Sequence, residues 1–174
     1  LSVYYDICAD EAEKQTICNA LCAVVDHILE NKYRLKDADG NYTRWGNWNP
    51  DDINRNPDWS GEHGTNALEM LSFLKTAYRM SGNEKYNEEY IRLIKEEHYA
   101  LNAMHCKEKD AHTCHIDDNL CFLISIPLLC YETDPELRYA YLTGMREHWE
   151  YERIERNPFL NIVYAAMTGE CADI

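Results

Sequence analysis

The connections constrain this chain more tightly than the helices they join. Helical periodicity recurs at 9–30, 64–80, 84–98 and 117–131, then from Pro135 and again from Pro158. The first, third and fifth segments are amphipathic. Ile17, Leu21, Val24 and Ile28 stripe the first, Tyr86, Tyr90, Leu93 and Ile94 the third, and Leu137, Tyr141, Met145 and His148 the fifth. The second, fourth and sixth are apolar on most sides; between Thr65 and Tyr78 only Glu69 and Lys75 are charged. Long stretches, 31–63 and 99–116, lead into the second and fourth segments. Short turns lead out of them, Ser81-Gly82-Asn83 and Glu132-Thr133-Asp134. Short turns join antiparallel neighbours, and a helix apolar all round needs neighbours on every side. The expectation is an all-α fold of antiparallel helical hairpins, of α/α-toroid type, with inner helices ringed by outer ones. Six helices make about three hairpins, and a closed ring of six hairpins needs about twice this length. Residues 1–174 are therefore expected to form a single helical domain, either part of a larger toroid or an open helical array.

Local signals agree with these boundaries. Asp10, Glu11 and Glu13 suit the positive end of the first helix. Asp134 is placed to cap the fifth, with Pro135 in its first position, and Gly82 and Gly169 sit where helices end. Pro127 is expected to kink the fourth. Tyr33–Lys36 and Tyr42–Trp45 read as a small hairpin around Asp39-Gly40. Asp37, Asp39 and Asn41 sketch a calcium loop, but the glycine and closing glutamate of an EF-hand are misplaced.

Charge removes several classes of function. With 31 acidic and 17 basic residues the net charge is -14, which repels phosphate backbones and anionic bilayers. Neither nucleic acid nor a membrane is expected as a partner. No run of about 18 uncharged apolar residues occurs, and no basic segment precedes the first helix. There is neither a glycine-rich phosphate loop nor a Gly-x-Ser-x-Gly elbow. Among the 8 cysteines, Cys18, Cys22, Cys121 and Cys130 lie on apolar runs and read as small core hydrophobes, mostly reduced. His105, Cys106, His112, Cys114 and His115 form a dense set of ligand types. Their spacing fits no standard zinc finger, and a Cys106–Cys114 disulfide is their other use, so no metal and no cofactor are assigned.

A shared face at the starts of the inner helices would gather Asp58, Glu62, His63 and Glu69 with His112, His115, Asp117 and Asp118, and with Glu152, Arg153, Arg156 and Asn157. Carboxylates facing each other across a cleft can divide acid and base roles, one kept protonated by burial or by its neighbour's charge. Asp117, Asp118 and Glu62 are the catalytic candidates. Trp45, Trp48 and Trp59 lie in a loop rich in Asn and Asp. Their rings can stack on a pyranose while carboxylates and amides bond its hydroxyls, so they are candidate ligand contacts together with His63, His115 and Arg153. Each has a plainer use: Asp117-Asp118 and Glu62-His63 as caps at helix starts, and the tryptophans as pins for a loop.

The segment His115-Ile116-Asp117-Asp118-Asn119-Leu120-Cys121-Phe122 resembles the aromatic-x-Asp-Asp-x-x-aliphatic segment of unsaturated glucuronyl and rhamnogalacturonyl hydrolases. His115 or Cys114 stands where that family carries Trp. Thr43-Arg44-Trp45-Gly46, the run from Asn66 to Tyr78, and Glu155-Arg156-Asn157-Pro158 resemble six-hairpin-glycosidase-like proteins of gut anaerobes. The resemblance implies a six-hairpin α/α barrel and hydration of the enol ether of an unsaturated uronic sugar, with Asp117 as general acid/base and Asp118 beside it. The expected function is thus carbohydrate-active, glycoside hydrolase-like, on a carbohydrate or other small-molecule ligand. The alternatives are a non-catalytic helical scaffold or sugar-binding module, and a sugar epimerase with His63 or His115 as base.

Overall fold

Asp10 opens the first long helix with a capping box. Its side chain accepts from Glu13 N, and the Glu13 side chain accepts from Asp10 N. The computed structural model describes residues 1–59, 61, 63–106 and 115–172, except the side chains of Trp59 and His115. In chain order the elements are α1 (Ser2–Ile7), α2 (Glu11–Glu30), β1 (Arg34–Lys36), β2 (Tyr42–Asn47), α3 (Pro50–Arg55), a 3-10 turn (Pro57–Trp59), α4 (His63–Ser81) and α5 (Glu84–Glu97). Then follow α6 (Tyr99–Asn102), α7 (His115–Tyr131), α8 (Pro135–Glu152), a second 3-10 turn (Arg153–Glu155) and α9 (Pro158–Thr168).

The molecule is dominated by helices, as the periodicity predicts. The capping signals stand where they were read: Asp134 accepts from Glu136 N and Leu137 N with Pro135 at the helix start, and Gly169 ends α9 at φ 73°. β1 and β2 pair antiparallel around Gly40, at φ 84°, in the expected hairpin. Asp37 serves that turn by accepting from Asp39 N and Asn41 N. Three short helices, α1, α3 and α6, were not anticipated. Pieces of four to six residues carry too little periodicity to read.

α4 is the axis of the core. Ala67, Leu68, Met70, Leu71, Leu74 and Ala77 on it are all buried, and Phe122, Leu128, Tyr86, Tyr90 and Leu93 pack into the same cluster. Each fully buried leucine contributes about 1.5–3 kcal/mol by leaving water. α4 and α7 run in the same direction, because their partners rise in step. Thr65 meets Cys121, Ser72 bonds the Ile124 carbonyl, and Lys75 pairs with Glu132. α8 returns antiparallel to α7: Tyr141 lies near Glu132, and His148 reaches Asp118.

Two expectations are corrected. α7 and α9 are apolar but not enclosed. Ile116, Leu120 and Leu123 on α7, and Phe159 and Ile162 on α9, are exposed. Their spacing puts them on one stripe of each helix. Cys130 is exposed as well, whereas Cys121 is buried, so an apolar run did not guarantee burial of both. α7 does continue through Pro127 as a helix.

A short segment fixes the end of the core where α4 and α7 begin. Ala103 to Cys106 threads between α4 and α8, close enough that a Cβ on Gly64 would lie 1.9 Å from the His105 carbonyl oxygen. One on Gly144 would lie 2.1 Å from that of Ala103. Only glycine lets the chains approach so closely. Cys106 is thereby buried beneath the start of α4, with Thr65 Oγ1 donating to its carbonyl at 2.7 Å.

Candidate functional site

Helical spacing makes this site from pairs. Thr65 and Glu69 are one turn apart on α4, Asp118 and Cys121 on α7, and His148 and Glu152 on α8. Residues three or four apart share a face, and the three faces meet. Thr65 Oγ1 lies 3.1 Å from Cys121 Sγ. His148 Nε2 lies 2.8 Å from Asp118 Oδ1, both side chains being almost wholly buried. Asp118, His148 and Glu152 offer ligand atoms all within 4.8 Å of one another. The His148 ring is held edge-on to Phe122, centroids 5.5 Å apart.

Glu69 joins the cluster from the loop side. Trp48 Nε1 donates to Glu69 Oε2 at 2.8 Å, while the Trp48 ring packs edge-on against Phe73. Burial pushes the Glu69 carboxyl up to about 7; the Trp48 bond opposes this, and the charges of Cys121 and Asp117 reinforce it. Glu69 is therefore protonated through much of the acid range, with the exposed Asp117 carboxylate near it.

The cysteine and histidine move in the other sense. Cys106 holds the Cys121 thiol below its ordinary range; burial opposes this, and His148 and Thr65 add to it. Burial disfavours charge on His148, but Asp118 and then Cys121 outweigh it and push the imidazole up to about 9. The Cys106 thiol, pushed up in turn, also has the Ala103 carbonyl oxygen at 3.0 Å as an acceptor.

The residues singled out from sequence are dispersed. Asp117 and Asp118 both stand in the first turn of α7, but they part company: Asp117 is exposed, while Asp118 is buried on His148. Both lie inside the first turn, where an acid suits the helix dipole, and Asp118 adds a tertiary partner. Trp48 is 7% exposed and belongs to the core, so it is not a stacking surface. Its polar surroundings in sequence disguised a ring that the fold turns inward. Trp45 is 69% exposed on β2, with the Arg44 guanidinium 4.6 Å from its ring centre. His63 begins α4, half-buried. Arg153 lies 4.6 Å over the Trp149 ring and pairs with Glu150 at 3.0 Å. Glu62 and the side chains of Trp59 and His115 fall outside the described residues, as do His112 and Cys114 of the dense ligand set. His105 is exposed and pairs with Glu147 at 2.9 Å.

Sequence reading did not select Cys121, His148 or Thr65, and grouped Glu69 and Glu152 without choosing them. One signal was present: His148 is a titratable group in an otherwise apolar stripe, one turn before a glutamate. Set against family models, curated proteins and solved structures, the chain matches none of them.

Proposed function

We propose that this chain is a carbohydrate-active protein of glycoside hydrolase type, with acid/base work divided between Glu69 and Asp117. The observation that carries this is the placement of Glu69. It is fixed by the Trp48 indole at 2.8 Å and lies close enough to Asp117 to feel its charge. A carboxyl held protonated near neutrality can donate to a leaving oxygen or an enol-ether carbon, while a solvent-exposed carboxylate steers or deprotonates water. Glu69 thus takes the partner role that sequence gave to Glu62. Trp45, exposed at the edge of the hairpin, is the ring offered to a sugar face.

The α/α-toroid architecture is part of the same proposal. α4 and α7 run parallel in the manner of inner helices, and α8 returns beside α7 as an outer one. The exposed stripes on α7 and α9 are where further inner helices of a ring would pack.

The test is turnover of oligosaccharides bearing an unsaturated uronic residue, followed by loss of the enol-ether absorbance. Glu69→Gln and Asp117→Asn should each lower kcat by about 100-fold or more while binding persists. The rate should fall as pH rises through about 7, where Glu69 loses its proton. Full activity in both variants, or binding without turnover by the native chain, would overturn the proposal, the latter in favour of a sugar-binding module.

A further inference from the structure

We infer that Asp118, His148 and Glu152 form a binding site for a divalent transition-metal cation, zinc above all. Among the described residues they are the one group of His, Cys, Asp and Glu whose ligand atoms converge within 4.8 Å, and all three are buried. The donor set is one imidazole nitrogen and two carboxylates, from α7 and α8. Zinc accepts both ligand types and takes three protein ligands with a fourth position open. Two carboxylates match its charge of two.

A second observation comes from the histidine itself. One ring nitrogen, Nε2, is bonded to Asp118; the other, Nδ1, is buried with no partner of hydrogen-bond geometry among the described residues. The Cys121 sulfur is near enough to the ring to act on it, but it does not meet hydrogen-bond geometry at Nδ1. A buried ring nitrogen that the protein does not satisfy is uncommon. Nε2 and Asp118 Oδ1, 2.8 Å apart, stand about as close as two donors on one cation, so Nε2 is the nitrogen that would turn to the metal, with the bare Nδ1 on its far side. His148 and Glu152, four apart on α8, present their ligand atoms from one helical face. Packing against Phe122 holds the ring in place.

The site is separate in its chemistry from the Glu69–Asp117 pair, and either can fail alone. The experiment titrates metal-stripped protein with zinc chloride, measuring heat of binding and metal per chain after desalting. The expected result is one zinc per chain and a melting temperature that rises with zinc, since the folded state alone holds the ligands together. Glu152→Gln, nearly isosteric, and His148→Gln should each weaken binding by about 100-fold, while Glu69→Gln leaves it unchanged. No saturable binding, or unchanged affinity in Glu152→Gln and His148→Gln, would overturn the inference. So would binding that survives Glu152→Gln but is lost in Cys114→Ala, which would move the metal to the cysteine- and histidine-rich segment. Cobalt(II) in place of zinc should give d–d bands without a thiolate-to-metal charge-transfer band. A strong band of that kind would put Cys121 among the ligands and refute this donor set.

Discussion

Two polar clusters lie along the same pair of parallel helices, and they are built to opposite ends. Where α4 and α7 finish, Lys75 Nζ sits 2.8 Å from Glu132 Oε2, and the Tyr90 hydroxyl donates to the same oxygen at 2.6 Å. Glu132 Oε1 takes the backbone N–H of Thr133 and Asp134, and the Tyr90 and Tyr141 hydroxyls lie 2.6 Å apart. Where the helices start, Glu69 has an indole N–H and two negative neighbours. Burial works against the charge of both glutamates. At Glu132 the Asp134 N–H, Lys75 and Tyr90 outweigh it and hold the carboxyl below its ordinary range. At Glu69 nothing does, and the carboxyl is pushed up to about 7. Burial alone therefore does not mark a site. A buried acid matched by a cation and three further donors is a brace, whereas one left short of partners stores a proton at neutral pH.

Breaking the brace should have the largest effect. Glu132→Ala leaves the Lys75 ammonium buried without its counter-charge, and unfolding by denaturant should show a loss of about 3–5 kcal/mol. A loss below about 1 kcal/mol would mean that water reaches Lys75 and that the two clusters are more alike than their geometry implies.

Next is the pH dependence of Glu69. Its folded value lies above that of the unfolded chain, 4.5, so between about 4.5 and 7 the folded state keeps a proton that the unfolded state has lost. Its contribution to stability is present below 4.5 and fades as pH rises to about 7, by up to about 3 kcal/mol. Glu132, shifted the other way, contributes above 4.5 and fades as pH falls below that. Glu69→Gln should flatten the decline between pH 4.5 and 7 in denaturation curves taken across pH. An unchanged slope would show that Glu69 is ionised with the rest of the surface.

A smaller effect is expected of Trp48→Phe, which keeps the ring near Phe73 but removes the donor to Glu69. It should cost about 1–3 kcal/mol at pH 7 and less at pH 5, because the bond opposes the upward shift of the carboxyl. The smallest is Trp45→Ala. At 69% exposure it should change stability by less than about 0.5 kcal/mol. A weakening of sugar binding in that variant, measured by titration, would separate the exposed ring from the buried one.

Part of this contrast was legible beforehand. Asp10, Asp134 and Gly169 act on neighbours a few residues away, so their roles as helix caps could be read directly. The hairpin at Gly40 is equally local. Lys75 and Glu132 were visible only as a charge on an apolar helix and an acid in a turn; nothing in sequence paired them. The same holds for Trp48 and Trp45, identical residues in one polar loop, one buried and one exposed. Trp45 lies within β2 and faces out, whereas Trp48 follows the strand and its ring turns onto Phe73 and Glu69 of α4.

The sequence alone determined the long helices, most of their ends, the short turns between them and the net negative charge, because periodicity, capping and charge act over one or two turns of chain. The tertiary structure decided which carboxylates are buried and with whom. It brought Asp118 to His148, thirty positions away, and turned Trp48 onto Glu69. It also left one stripe of α7 in water. Those outcomes depend on how helices of similar apolarity pack against one another, and the spacing of residues along one helix does not say which face its neighbours will cover.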